Sequence, residues 1–310
     1  MNKIRCIFMG TPQIAATILE NMLQANIEVG LVVTQPDKKK GRKQNLVFSE
    51  VKEVAVQHGI EVFQPVRIKE DYQTILDYKP DIIVTCAYGQ IVPKVILDAP
   101  VYGAVNLHGS LLPALRGGAP IQRAIWNGDS VSGMTLMKMA PKMDAGPILD
   151  VEKVEILDED NSSSVFEKMA QAASILLLRN WDKLVTGQAY FVEQDENLAT
   201  YAPVISKSEE HIDLNQDDVH IFNQIRALSN EPGAYFIVKN KKFKVLKARY
   251  MQSQVLNPMT FAGLVNDGFG LYLNEGILLI DQCQMEGKPV LNAKDFYNGM
   301  GRNLVGTRVE

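Results

Sequence analysis

The chain has 310 residues, 46% of them hydrophobic and 22% charged, which supplies enough apolar material for folded cores and more length than one domain ordinarily uses. No apolar run reaches the length that crosses a bilayer, residues 1–9 lead into Gly10-Thr11-Pro12 without a signal-peptide cleavage pattern, and Cys6, Cys86 and Cys283 lack the spacing of a disulfide framework or a zinc site. A cytoplasmic protein with reduced thiols, no metal and no membrane partner is expected, and its net charge of −4 argues weakly against a polyanionic partner unless positive charge is gathered locally.

The first half alternates strand and helix patterns in the manner of an α/β domain with a mainly parallel, doubly wound sheet. Residues 4–9 read as a buried strand, and after the Gly10-Thr11-Pro12 turn Ile14, Ile18, Leu19, Met22 and Leu23 recur at helical spacing. Residues 29–34 give a second strand, residues 35–48 a polar loop, and Val51, Val54 and Ala55 a further helical face. Additional strands are expected over 82–85, 101–107 and 134–139, and a long amphipathic helix over 162–184. The first turn is not GxGxxG, no suitably placed acidic residue closes the second strand, and no P-loop lysine pattern is present, so neither dinucleotide nor nucleoside triphosphate binding has a seat.

The composition changes near residue 190, and the polar stretch ending at Ser208 reads as a linker, which sets domains of 1–190 and 209–310 about a linker of 191–208. Beyond it Val219, Phe222, Ile225 and Leu228 mark a helix, and closely spaced turn signals at 230–233, 257–258, 266–268 and 286–287 suit a small β-barrel. Two basic runs break the acidic average: Lys38, Lys39, Lys40, Arg42 and Lys43 in the early loop, and Lys239, Lys241, Lys242, Lys244, Lys247 and Arg249 late in the chain. Such runs are either solvated faces or footprints for phosphate.

The segment Asn106-Leu107-His108-Gly109-Ser110-Leu111-Leu112-Pro113 closes a predicted parallel strand, where residues two apart share a face, so Asn106 and His108 can point together beyond the strand end. Asp144 follows the strand predicted over 134–139 and is expected to leave the sheet at the same edge. A neutral amide donor, an imidazole and a carboxylate suit acyl transfer to an amine, with Asn106 holding the oxyanion, His108 moving the proton and Asp144 orienting the ring. Each also has a plainer reading: a turn cap for Asn106, a hydrogen-bonded structural histidine for His108, a turn former for Asp144. Cys86 lies in a strand with no adjacent base and reads as a core thiol, and His58, His211 and His220 lie in polar surroundings and read as solvated.

Met9-Gly10-Thr11-Pro12, Thr34-Gln35-Pro36-Asp37, Ala87-Tyr88-Gly89-Gln90-Ile91, the Asn106 to Pro113 segment, Arg116-Gly117-Gly118-Ala119-Pro120-Ile121 and Met143-Asp144-Ala145-Gly146 stand in the order that resembles the methionyl-tRNA formyltransferases, over nearly the whole chain. The Asn-x-His, Ser-Leu-Leu-Pro and following Asp are common to formyltetrahydrofolate-using enzymes, whereas Gln-Pro-Asp, Arg-Gly-Gly-Ala-Pro and the β-rich second domain point to the tRNA enzymes. The resemblance implies that Asn106, His108 and Asp144 are catalytic and that 10-formyltetrahydrofolate donates the formyl group without a metal. It places the folate against Tyr88, Gly89, Gln90, Ile91 and Val92, against Ser110, Leu111, Leu112 and Pro113, and against the loop over 140–144. It also implies a charged initiator tRNA held by the basic loop, with Lys38, Lys39, Lys40, Arg42 and Lys43, and by an oligonucleotide-binding (OB-like) second domain, with Lys241, Lys242 and Lys244, in a monomer. Ile14 stands where the family usually has Phe, Ser229-Asn230-Glu231-Pro232 replaces its Asn-Pro-Trp-Pro, and Lys38 to Lys40 replace an Arg-Pro pair. The alternatives are a formyltransferase or hydrolase acting on a small amine, and a tRNA-binding homologue without catalysis. The former would lack the basic loop joined to a β domain, and the latter need not preserve the intact Asn106, His108 and Asp144 set.

Overall fold

The structure, a computed structural model, describes residues 3–40, 45–229, 231–255 and 257–310. By their contacts the residues divide into two compact units, Met1–Gly117 with Val131–Glu155 and Phe166–Ala202, and Gly118–Ser130 with Ile156–Val165 and Pro203–Glu310.

The first unit is built from β1 (Cys6–Gly10), α1 (Gln13–Gln24), β2 (Val29–Val33), β3 (Lys38–Lys40), β4 (Asn45–Val47), α2 (Glu50–Gln57), β5 (Glu61–Phe63), α3 (Gln73–Tyr78), β6 (Ile82–Cys86), α4 (Lys94–Leu97) and β7 (Ala104–His108). After α5 (Pro120–Asn127), which is grouped with the second unit, β8 (Val131–Lys138), β9 (Ile148–Glu155) and most of α6 (Ser162–Val185) complete it. Among the described residues its sheet has seven strands in the order β5-β2-β1-β6-β7-β8-β9. The pairs from β5 through β7 are parallel, while β7 with β8 and β8 with β9 are antiparallel. Every residue of β1 and β6 is buried, which is why both read as unbroken apolar runs rather than as alternating ones. On one face Ile7, Met9, Leu31, Val33 and Ile83 pack with Ile75 of α3 and Ile96 of α4. Ile14, Ile18, Leu19 and Met22 give α1 its buried stripe, each worth roughly 1.5–3 kcal/mol of transfer free energy, and Asn21 of α1 donates to Ser174 of α6 at 2.9 Å.

The polar loop expected over 35–48 contains a two-stranded hairpin, with Lys38 opposite Val47, Lys39 opposite Leu46 and Lys40 opposite Asn45. Strand propensity scales penalise lysine because they record half-buried positions; here backbone pairing alone makes the strand, and its side chains at Lys38, Lys39 and Leu46 are exposed.

The second unit contains α5, α7 (Asp218–Ala227), β10 (Ala234–Val238), β11 (Lys241–Gln252), β12 (Phe261–Val265), β13 (Gly268–Tyr272), β14 (Gly276–Met285), β15 (Leu291–Asn292) and α8 (Ala293–Gly299). Its antiparallel sheet runs β10-β11-β14-β13-β12, with β15 on β14. Phe243, Phe261, Phe269 and Phe296, all buried, meet with ring centroids 4.8–5.5 Å apart in stacked and edge-on pairs, each pair adding about 0.5–1.5 kcal/mol beyond its area. The segments 118–130 and 156–165, numbered within the expected first domain, join this unit for visible reasons. Trp126 of α5 donates to His220 of α7 at 3.0 Å, and the buried Arg226 donates to the carbonyls of Leu157, Asp158 and Asp160 at 2.8–3.1 Å. His220, half-buried, is therefore a structural acceptor, while His58 and His211 are exposed as expected, His211 stacking on Tyr235 with centroids 5.1 Å apart.

Candidate active site

β7 lies between β6 and β8, with Asn106 opposite Thr85 on one side and Met137 on the other, and His108 opposite Thr135. Period-two alternation sends Asn106 and His108 to one face. The imidazole is buried, 6% exposed, and is engaged at both nitrogens: Nε2 lies 3.0 Å from the Leu115 carbonyl oxygen and Nδ1 lies 3.6 Å from Oδ1 of Asp144. Nε2 is thus within hydrogen-bond distance of a carbonyl, while Nδ1 faces the carboxylate just beyond that distance. Asn106 is half-buried, and among the described residues its amide has no hydrogen-bond partner, which leaves a neutral donor free two residues before the histidine.

Asp144 reaches His108 by a route other than the expected one. β8 runs antiparallel to β7, so its carboxyl end, Lys138, pairs with Val105 near the start of β7 rather than with His108 at its end. The chain then leaves and re-enters the sheet at Lys138, whose amide bonds the Pro147 carbonyl at 2.9 Å, and the intervening loop carries Asp144 back to the imidazole. Gly146 is required by that closure, because a Cβ there would fall 1.9 Å from the Lys138 carbonyl oxygen. Asp144 itself sits at φ +51, a left-handed conformation that costs an L residue roughly 1–2 kcal/mol, although Asp tolerates it better than most. Compensation comes from outside the loop. The Gly117 amide donates to Asp144 Oδ2 at 2.9 Å, and Gln194 donates to the carbonyls of Asp144 at 2.9 Å and Gly146 at 2.7 Å. Gly117, at φ +123, can come this close because it carries no side chain: a Cβ would stand 2.6 Å from the Ala202 carbonyl oxygen.

Arg116, 1% exposed, closes the arrangement by donating to Gln194 and, at 2.8 Å, to Glu196. Glu196 also receives Lys142 from the Asp144 loop, and its hydrogen bonds from Arg116 first and Lys142 second hold its carboxyl down at about 2.

The two segments expected against folate differ in exposure. Tyr88 and Val92 are buried in the α3/α4 face of the sheet, burial pushes the Tyr88 phenol up, and its hydroxyl has no partner among the described residues. The Tyr88 carbonyl accepts from Thr11 at 2.9 Å and Gln35 at 3.0 Å, Gly89 takes φ +90, and Gln90 is tied to the Ile68 amide at 2.9 Å and the Pro65 carbonyl at 3.2 Å. Ile91, 75% exposed, is the apolar side chain this segment presents to solvent. After β7 the buried Ser110 donates to Ala114 at 2.6 Å, while Thr135 donates to the Ser110 carbonyl and accepts from the Leu112 amide, fixing the Leu111 to Pro113 turn against β8. Cys86, buried with its thiol pushed up to about 12 by desolvation, is inert core. Among the described residues no group of three His, Cys, Asp or Glu side chains stands where it could hold a metal ion, and no helix is long and apolar enough to cross a membrane.

Residues 2–180 match the Formyl transferase family and residues 204–301 the Formyl transferase C-terminal domain. Methionyl-tRNA formyltransferases are 40% identical to the chain in Lactobacillus delbrueckii subsp. bulgaricus, over 98% of this chain and 97% of that one, and 41% identical in a Geobacillus species, over 97% and 96%. The chain belongs to the methionyl-tRNA formyltransferase family. Among solved structures, HypX from Aquifex aeolicus in complex with tetrahydrofolic acid shares the fold at a TM-score of 0.73 and 15% identity, covering 98% of this chain, which spans about half (48%) of that chain's length. An N-formyltransferase from Helicobacter canadensis, in complex with folinic acid and dTDP-3-aminofucose, shares it at 0.68 and 19%, covering 89% of this chain and 99% of that one.

The basic segments lie on β3 and β11. Lys38 and Lys39 are exposed on β3, the backbone of Lys40 pairs with Asn45, and Arg42 and Lys43 lie outside the described residues. On β11 the alternation splits the late lysines: Lys242 and Lys244 stand on the face opposite the buried Phe243 and Val245, and Lys241 on the other. Lys242 lies over the Tyr235 ring at 4.1 Å, Lys244 donates to the Pro232 carbonyl, and Arg249 is committed to Asp281 at 2.7 Å. Sequence reasoning missed Gln194 and Thr135. No spacing rule points to Gln194, which is 50 residues from the carbonyl it holds; Thr135 lies inside the strand expected over 134–139, but its pairing with His108 depends on a register that the sequence leaves open.

Proposed function

We propose that the chain transfers the formyl group of 10-formyltetrahydrofolate to the α-amino group of methionine on charged initiator tRNA. The observation that carries the reading is the imidazole of His108, held 3.6 Å from Asp144, with the unpartnered Asn106 amide two residues before it on the same strand face, in a member of this family. The amine lone pair forms the new C–N bond as the formyl C=O pair moves onto oxygen, and the Asn106 amide donates to that oxyanion. Collapse breaks the bond to the folate nitrogen, which leaves with a proton carried to it by His108 from the attacking amine. Asp144 keeps Nδ1 and compensates the charge the ring acquires. Nε2 therefore serves the reacting nitrogens, exchanging the Leu115 carbonyl for them. Folate against residues 88–92 and 110–113, and tRNA phosphates on the β3/β4 hairpin and on Lys241, Lys242 and Lys244, complete the reading. Incubating the protein with methionine-charged initiator tRNA and 10-formyltetrahydrofolate should yield formylmethionine after deacylation. Consumption of the donor with only free formate, or formylation of an amino sugar in preference to the tRNA, would replace this reading with one of its rivals.

A further inference from the structure

We propose that Gln194 is a positioning residue for formyl transfer, which sets the separation of Asp144 and His108 by holding the loop that carries Asp144. The proposal rests on the reading of Asp144 and His108 as catalytic. Gln194 lies in a stretch that the sequence presents as linker, half-buried between exposed neighbours Glu193 and Asp195, so it serves no apolar core.

Its amide is fully used. Nε2 donates to the carbonyl oxygens of Asp144 at 2.9 Å and Gly146 at 2.7 Å, and Oε1 accepts from Nε and Nη2 of Arg116 at 3.2 and 2.8 Å. The orientation of the amide follows from its partners, because a guanidinium only donates and a peptide carbonyl only accepts. The two carbonyls flank Ala145 and begin with the left-handed Asp144, so the bonds end on the backbone that aims the carboxylate.

Behind Gln194 the support is buried and hydrogen-bonded. The Arg116 side chain is 1% exposed, its amide bonds the Thr200 carbonyl at 2.9 Å, its carbonyl accepts from Ala202 at 2.7 Å, and the adjacent Gly117 amide holds Asp144 Oδ2. Glu196 ties the same guanidinium to Lys142 at the start of the loop. Residues 116–117 and 194–202 therefore form a frame for the loop, with Gln194 as its link to the backbone at Asp144. Misplacing a reacting group by about 1 Å can cost on the order of a hundredfold in rate, so loss of this link should be read in turnover.

The test compares Gln194→Ala, Gln194→Glu, Asp144→Asn and the double variant Asp144→Asn/Gln194→Ala in steady-state and single-turnover formylation, with circular dichroism as the folding control. Gln194→Glu keeps the size of the side chain and an acceptor for Arg116 but has no hydrogen to give the two carbonyls, so it decides the matter even if Gln194→Ala is unstable. The expected result is a loss of roughly 10- to 100-fold in kcat for both Gln194 variants, with KM for tRNA and for folate within about threefold of wild type, and no further loss in the double variant relative to Asp144→Asn. A Gln194→Glu protein with wild-type kcat beside an inactive Asp144→Asn protein would overturn the positioning role, as would full multiplicativity in the double variant. Wild-type kcat in Asp144→Asn would instead remove the reading on which the proposal stands.

Discussion

His108 and Asp144 face each other across 3.6 Å from positions that the sheet alone would hold apart, since the strand before Asp144 ends beside Val105 and the strand carrying His108 ends three residues further on. The imidazole is fixed from its other side by the Leu115 carbonyl at 3.0 Å. Replacing His108 by Ala removes the proton carrier while leaving the sheet register to the backbone. Turnover should fall about 100-fold or more, within the usual contribution of a general acid-base group. Rate assays with circular dichroism check this, and an active, folded His108→Ala protein would remove the proposed role.

Asn106→Ala tests the oxyanion donor. The amide has no internal partner among the described residues, so its loss leaves no buried group unsatisfied and the fold should be indifferent. An interaction made chiefly in the transition state is lost from kcat, by about 100- to 1,000-fold, with folate affinity retained. Equilibrium titration of the folate beside turnover separates the cases: weaker binding at unchanged kcat would make Asn106 a ground-state contact.

Neutralising the exposed hairpin cations Lys38 and Lys39 to Gln should raise KM for charged tRNA and flatten its salt dependence by up to about 1–2 units of log–log slope, since each phosphate contact contributes roughly 0.9. KM for folate should not move. Initial rates over a salt series provide the measurement, and an unchanged slope would reduce β3 to a solvated strand.

Glu196 makes the frame around the Asp144 loop sensitive to acid. Its carboxyl, ordinarily at 4.5, is held at about 2 by Arg116 and Lys142, so the folded protein binds this proton less readily than the unfolded chain. The stabilisation is full above 4.5 and is lost as the pH falls from there towards 2. The side chain is 53% exposed, so solvent and salt screen the effect. Comparing Tm of wild type and Glu196→Gln from neutral pH downward should show an advantage for wild type that narrows below 4.5 and shrinks in high salt. A Tm difference independent of pH would contradict the assignment.

The periodicities of the chain were sufficient for the buried strands β1, β2 and β6, for the stripe of α1, and for placing Asn106 and His108 on one strand face, because each depends on local spacing along the chain. The lysine-rich strand pair was not legible, since backbone pairing leaves no hydrophobic alternation where Lys38, Lys39 and Leu46 are all exposed. Nor was the direction of β8, because a period of two is the same for a parallel and an antiparallel strand. That direction decided how Asp144 comes to His108: by a loop that doubles back from Lys138, shaped by Gly146 and held by Gln194 and Arg116. Sequence alone pointed to the side chains proposed to carry the chemistry. Their separation was decided by hydrogen bonds spanning 27 to 78 residues, which form only once the chain has folded and leave no trace in local patterning.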